Sequence, residues 1–573
     1  MNRPRVTSLV LLPFLLCAAP RMVSAQTATA KPVAPRAATA KAAAVPKDAA
    51  AIDQMFRAAV NPVEPGLAVI VVRKGQTVHR AAYGMANLEL GVALTPDHVL
   101  RIGSVTKQFT SAAIMMLAQE GKLSVTDPIT KFLPDYPTQG RTIAVEHLLT
   151  HTSGIQSYTD MPKWRGLWRQ DMSVTELIDL FKNEPMQFAP GERWRYNNSG
   201  YILLGAIIEK VSGKKYADFV QERIFTPLGM KDTRYDVTDQ VIPRRAAGYQ
   251  RAGDRIVNAQ YLSMTQPHAA GALMSTVDDL ARWNAAMTAG RVISADSLVK
   301  SFASYKLAGG SESGYGYGWS IGRYEGRAVQ EHGGGIHGFR SYVIRIPADE
   351  VYVAVLSNVA AAAPSPGMLA RKAAAIAIGK PLVNPAAVSL TPEQLDAYAG
   401  RYVSAGGTRY VVTREGSRLF VQTGGGEKAE IVLAGNDVFF VKDAFTRFTF
   451  QRDAAGKYVR LEIDDWGPQP PAVRDNAPEA ARAEVKVDPA VLKSYEGEYE
   501  LAPGFVLTVT VEGERIMTQA TGQQKVEIFP SSPAEFFLKV VNAQITFVKD
   551  ASGAVTHLVL HQGGRDIPGK KMK

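Results

Sequence analysis

Ser104 and Lys107 stand three residues apart in Gly103-Ser104-Val105-Thr106-Lys107. A hydroxyl and an amine at that spacing are a candidate nucleophile and its base. On a helix, residues three apart lie one turn apart on one face, so Lys107 Nζ can reach Ser104 Oγ. The spacing of Phe109, Ala113, Met116 and Leu117 predicts a helix over 106–119, with Gly121 as its stop. A serine at the start of that helix meets the positive end of its dipole, which favours negative charge developing on oxygen. For Lys107 to accept a proton it must be neutral part of the time. Burial beside another cationic or polar group lowers its pKa and allows this. Alone, the pair reads equally well as a helix-capping serine and a surface lysine.

Two further segments carry matching chemistry. Arg195-Tyr196-Asn197-Asn198-Ser199-Gly200-Tyr201 contains Y-x-N. The Tyr196 hydroxyl beside an ammonium can relay protons, and the Asn198 amide can hold a substrate carbonyl or orient Lys107. Glu331-His332-Gly333-Gly334-Gly335-Ile336-His337-Gly338-Phe339 is a glycine-rich strand. Gly334 and Gly335 let a substrate backbone approach closely, and a strand-edge N–H there can serve as an oxyanion donor. His147 and His151, four apart, could ligate a metal from one helix. No Glu lies between them and no third ligand is evident, so neither metal nor other cofactor is expected. G-x-S-x-G is absent around Ser104, which argues against an α/β-hydrolase.

S-x-x-K, Y-x-N and H-G-G occur in this order, and over about residues 50–380 the chain resembles the serine β-lactamase and DD-peptidase superfamily, its class C-like branch. His147-Leu148-Leu149-Thr150-His151-Thr152-Ser153-Gly154, Pro190-Gly191-Glu192, Gly271–Thr276 and Tyr315-Gly316-Tyr317-Gly318-Trp319 add to the resemblance. It implies that Ser104 attacks a carbonyl after Lys107 or Tyr196 takes its proton, the choice of base staying open. It further implies that Tyr196 protonates the leaving group, that Asn198 assists, and that backbone N–H groups of Ser104 and Gly335 hold the oxyanion. The third motif departs from the family's K-T-G. His332 stands where a lysine carries a permanent charge for a substrate carboxylate, and a histidine is only partly charged near neutral pH. Arg340 and His337 are the candidates to supply the missing charge. The reading is therefore an esterase, D-aminopeptidase or DD-peptidase acting on a small ester, amide or peptide. A β-lactamase, or a slow-turnover penicillin-binding sensor or other ligand binder, is the alternative.

The elements that must position these residues can be read from pattern. Gly66–Val72 and Thr77–Tyr83 form a hairpin through Lys74-Gly75. Gln330–Pro347 and Val351–Asn358 are paired strands with Pro347–Glu350 as the turn, the second almost wholly apolar, as in a buried strand. After Pro381 the chain repeats itself. Leu395, Tyr398, Gly400 and Tyr402 recur 97 residues later as Leu492, Tyr495, Gly497 and Tyr499. Phe439-Phe440, Phe450, Asp453, Gly456 and Leu461 recur at the same offset, so a duplication is read. Each unit opens with a helical turn and continues as roughly eight strands, predicting two small antiparallel barrels. Catalytic domain plus barrels resembles D-aminopeptidases with lipocalin-like modules. The fold class is α+β: a β-lactamase/transpeptidase-like domain, an antiparallel sheet flanked by helices, over 51–382. Barrels follow over 388–475 and 486–573. They are expected to limit entry to the site or to form a homodimer.

The 573 residues carry a net charge of +11, of which +6 falls in residues 1–50. The remaining weak bias, with no basic block interleaved with aromatics, excludes a nucleic-acid partner. Arg3 and Arg5 precede an apolar run at 9–16, and Val23-Ser24-Ala25 offers a cleavage site. Residues 1–25 read as a signal peptide and 26–50, rich in Ala, Lys and Pro, as a disordered tether. A secreted, periplasmic protein without stable membrane insertion after cleavage is expected. Cys17 is the only cysteine, so the mature chain has no disulfide.

Overall fold

The computed structural model describes residues 47–404, 407–475, 484–502, 504–539, 543–550, 552–562 and 565–572. The expected signal peptide and the tether up to residue 46 lie outside the described residues. The tether's last four residues do not continue as coil. They form the first turn of helix α1, Lys47–Ala59. The reason lies further along: Ile52 and Phe56, four apart, are fully buried, and their burial recruits the alanine-rich segment ahead of them into the helix.

Six antiparallel strands form the central sheet: β1 (Leu67–Arg73), β2 (Gln76–Tyr83), β3 (Ser320–Tyr324), β4 (Arg327–Ile336), β5 (Phe339–Ile346) and β6 (Val351–Ser357). Their order is β3-β4-β5-β6-β1-β2, so the N-terminal hairpin pairs with the last strand of the sheet. Lys74 and Gly75 both have positive φ, the turn that matches the strand twist. The sheet is covered on both faces, and side chains divide between them with period two. Leu67, Val69, Val71, Val353 and Val355 join one apolar cluster, together with Ile52, Phe56 and Leu369. Ala68, Ile70, Ala354 and Leu356 join the other, with Phe109, Leu117 and Trp283. The first cluster is supplied by α1 and by α5 (Pro366–Ala377). The second is supplied by α2 (Thr106–Gln119), α3 (Asn198–Ser212) and α4 (Val277–Thr288).

Gln330–Pro347, expected as one strand, is two. The chain reverses at His337-Gly338, where Gly338 has φ +81°, and β4 pairs with β5 across that turn. Each C-terminal unit is a closed eight-stranded antiparallel barrel, the first running from Gly400–Ser404 to Pro468–Arg474, the second from Gly497–Ala502 to Arg565–Lys571. Tyr402 Oη donates to the Tyr398 carbonyl at 3.1 Å, and Tyr499 Oη repeats the bond to Tyr495 at 2.8 Å. Aromatic and aliphatic side chains fill both interiors.

Helix α1 should behave as part of the catalytic domain. Phe56 stacks on Tyr83 at 5.7 Å between ring centres and is fully buried. Phe56→Ala should cost about 3 kcal/mol, read as a lowered urea midpoint of the catalytic domain. An unchanged midpoint would mean that α1 is not docked.

Candidate active site

Ser104 lies in a single turn, Gly103–Val105, that leads directly into α2. That turn packs against the edge of β4. Strand β3 pairs with β4 only from Arg327 to Glu331, so His332–Ile336 has no partner strand on that side. Two glycines make the approach possible. Gly103 has φ +49°, and a Cβ there would lie 2.9 Å from the Gly335 nitrogen. A Cβ on Gly334 would lie 2.0 Å from the Ile102 carbonyl oxygen. The Gly103 backbone thereby lies against that of Gly335, and Ser104 and Gly335, expected to hold an oxyanion, line the same cleft.

Lys107 is fully buried. Its Nζ lies 3.2 Å from Ser104 Oγ, 2.8 Å from Asn198 Oδ1 and 2.8 Å from the Ala270 carbonyl. No ion pair to Lys107 occurs among the described residues. Burial therefore holds its pKa well below the ordinary lysine value. A neutral amine has two N–H donors and one lone pair. In that form the two donors would serve Asn198 and Ala270 and leave the lone pair for the Ser104 hydroxyl. Asn197 caps α3 by accepting from the Gly200 N–H at 2.9 Å. That cap places Asn198 on the first turn and Tyr196 just before it. Asn198 Nδ2 donates to Thr159 Oγ1 at 3.0 Å, which fixes the orientation of the amide.

Tyr196 lies with its ring centre 4.8 Å from Lys107 Nζ. Burial pushes its phenol well above the ordinary value, partly offset by the neighbouring Ser104 hydroxyl. Its Oη makes no hydrogen bond of proper geometry among the described residues. Sequence reasoning missed His151 as a neighbour of this tyrosine. His151 has φ +61° and is buried, its ring centre 4.4 Å from that of Tyr196. Its Nδ1 accepts from the Asn197 N–H at 3.2 Å. Burial above all holds its pKa well below the ordinary imidazole value. The helix containing His147 ends at Leu149, so the two histidines do not share it, and no metal-binding group occurs among the described residues.

His332 does not offer the partial charge expected of it. It is buried, with Tyr315 Oη 2.7 Å from Nε2 and the Gly333 carbonyl 2.6 Å from Nδ1. Both ring nitrogens are used inside the protein. Burial above all lowers its pKa to about 3. His337 is likewise neutral: burial, with Arg101 and Arg340, lowers its pKa to about 4, and its ring sits against Trp168. Arg101 is ion-paired with Asp236 at 2.7 Å, a carboxylate it shares with Arg245 at 2.9 Å. Arg340 is exposed and has no ion pair among the described residues. Ser104, Asn198, His337, Arg340, Trp164 and Gln250 help to line a cleft of about 310 Å³, in which Arg340 is the one charged lining side chain among the described residues.

Residues 52–378 match the Beta-lactamase family, and residues 384–474 and 481–571 each match a domain of unknown function, DUF3471. The chain is 29% identical over 420 residues to "Penicillin-binding protein 4*" of Bacillus subtilis (strain 168), covering 69% of this chain and 92% of that protein. It is 30% identical over 262 residues to "Putative penicillin-binding protein PbpX" of the same strain, covering 45% of this chain and 63% of that one. Among solved structures it resembles the octameric penicillin-binding protein homologue from Pyrococcus abyssi, with a TM-score of 0.51 and 27% identity, covering 72% of this chain and 96% of that one. With that match running from α1 through the last strand of the sheet, the chain belongs to the Beta-lactamase family.

Proposed function

We propose that this protein is a secreted serine hydrolase that forms an acyl-enzyme on Ser104 and cleaves small esters, amides or peptides bearing a carboxylate. The observation that carries this reading is the buried Lys107 Nζ, 3.2 Å from Ser104 Oγ and without an ion pair among the described residues. Lys107 takes the Ser104 proton as Oγ attacks the substrate carbonyl carbon. The oxyanion is received between the Ser104 and Gly335 backbones. Tyr196 gives its proton to the leaving alcohol or amine. The resulting phenolate is stabilised by the Lys107 ammonium, which then returns the proton. Water attacks the acyl-serine by the same steps in reverse. Of the two bases left open by the sequence, burial lowers the Lys107 pKa and raises that of Tyr196, which favours Lys107. Secretion rests on the N-terminal run at 9–16.

The charge of the cleft bears on the substrate. Among the described residues its one charged lining side chain is cationic, which favours a substrate carboxylate over the free ammonium that a D-aminopeptidase would have to receive. The neutral His332 removes the fixed charge of K-T-G and favours the hydrolase over the β-lactamase reading.

A hydrolysis panel of p-nitrophenyl esters, D-amino-acid anilides, a D-Ala-D-Ala peptide and nitrocefin tests this. Ser104→Ala should lose at least about 10³-fold on every active substrate; equal activity would sink the mechanism. The pH profile tests the base. Lys107 is active when deprotonated, and its pKa is lowered, so kcat/KM should rise with pH through that lowered value. Lys107→Arg, always charged, should be inactive at every pH. A wild-type rate that falls steadily from about pH 6 to 9 contradicts a lysine base. Arg340→Gln should raise KM for carboxylate-bearing substrates about 10-fold and leave neutral esters unchanged.

A further inference from the structure

The active-site strand is held from behind by the first barrel. Its turn before the last strand carries Trp466 and Gly467, with φ +56° and +124°. A bulky residue in the left-handed region is a strained conformation that surrounding contacts must hold. The contacts are visible. Trp466 is buried and stacks on Tyr324 of β3, ring centres 3.8 Å apart and planes within 13°. Phe445 of the same barrel meets both rings edge-on, at 5.4 and 4.6 Å. A Cβ on Gly467 would lie 2.1 Å from the Arg323 carbonyl oxygen, so barrel backbone and β3 backbone touch.

Behind Trp466 lies Arg371 of α5, its guanidinium 5.6 Å from the indole centre. Arg371 Nη2 donates to Glu331 Oε1 at 2.5 Å and Nε to Oε2 at 3.3 Å. Nη2 also donates to Tyr342 Oη at 3.2 Å. The Tyr342 ring in turn covers Gly333, where a Cβ would lie 3.1 Å from it. Arg371 thus holds Glu331 directly and Gly333 through Tyr342. These are the two neighbours of His332, at the point where β4 loses its partner β3.

The duplication supplies an independent observation. At the offset of 97 residues, Phe445 and Trp466 correspond to Asn542 and Gly563. The second barrel also closes with eight strands. Neither aromatic is therefore required to close a barrel.

From this geometry we infer that the first barrel is a working part of the active site: Trp466 and Arg371 are positioning residues that hold β4 so that Gly335 lies against the Gly103-Ser104 turn. The inference rests on the acyl-enzyme reading for its effect on rate, and its structural part stands without that reading. The test uses the full chain carrying Trp466→Ala, Trp466→Phe, or Phe445→Asn with Trp466→Gly, which gives the first barrel the residues of the second. Amide hydrogen exchange should speed up at least tenfold across residues 330–336 in Trp466→Ala and in the double variant. Exchange in α2, α3 and the barrel strands should stay unchanged. On the most active ester, kcat should fall about tenfold with KM within twofold, and Trp466→Phe should restore most of it. Unchanged protection at 330–336, or protection lost evenly across the catalytic domain, overturns the proposal. A wild type without hydrolase activity would overturn the acyl-enzyme reading alone, since the exchange measurement needs no substrate.

Discussion

The site depends on one constraint, the full burial of the Lys107 amine with no acid paired to it among the described residues. A buried ammonium without an acid is costly, so burial lowers the pKa of the amine and favours its neutral form. The same burial acts on the surrounding groups. It raises Tyr196 and lowers His151 and His332. Each of these groups is neutral at physiological pH for one common reason. A low-dielectric pocket is stable only while its occupants carry no charge, and it strengthens any charge separation that the reaction creates. Transfer of the Ser104 proton would create such a separation between Lys107 and an oxyanion a few ångströms away. The tyrosine rings at 4.8 and 5.1 Å from Nζ offer their negative faces to the new ammonium.

That constraint explains why the third motif could not be read correctly from residue type. A histidine in place of a lysine suggests a weaker charge in the same role. In the fold it does a different job, bridging Tyr315 and the Gly333 carbonyl. Tyr315 lies 17 residues upstream, and nothing local in the sequence brings its hydroxyl to that ring. The S-x-x-K spacing was legible because both members sit on one helical turn. The Y-x-N segment was legible for a related reason: Asn197 is a helix cap, and capping has a local signature. The break in 330–347 had a signal as well. Gly338 permits the reversal between β4 and β5, but it stood among other glycines. His151 was invisible as an aromatic neighbour because four rings converge on it from distant segments.

The duplication was legible because a barrel interior is satisfied within its own unit. Tyr398 and Tyr495, Tyr402 and Tyr499, Phe450 and Phe547 keep their identities because each packs against the others in its barrel. The outer surface is under no such demand. Positions that differ between the copies are therefore more informative about role than positions that agree. Asp437 accepts from Tyr398 and Tyr458, both at 2.6 Å, whereas the second copy has Ala534 and Val555 at the places of Asp437 and Tyr458. Tyr495 instead donates to the Pro533 carbonyl at 3.0 Å. The two barrels thus solve the same buried hydroxyl differently. The divergence at Phe445 and Trp466 is of another kind, because these side chains turn away from their own barrel and share a core with Ile344, Val353 and Ala370 of the catalytic domain. A side chain that completes another domain's core is held there by that domain's packing. The first barrel is consequently bound to the sheet that carries Gly335, by apolar burial that a surface contact between separate modules does not supply.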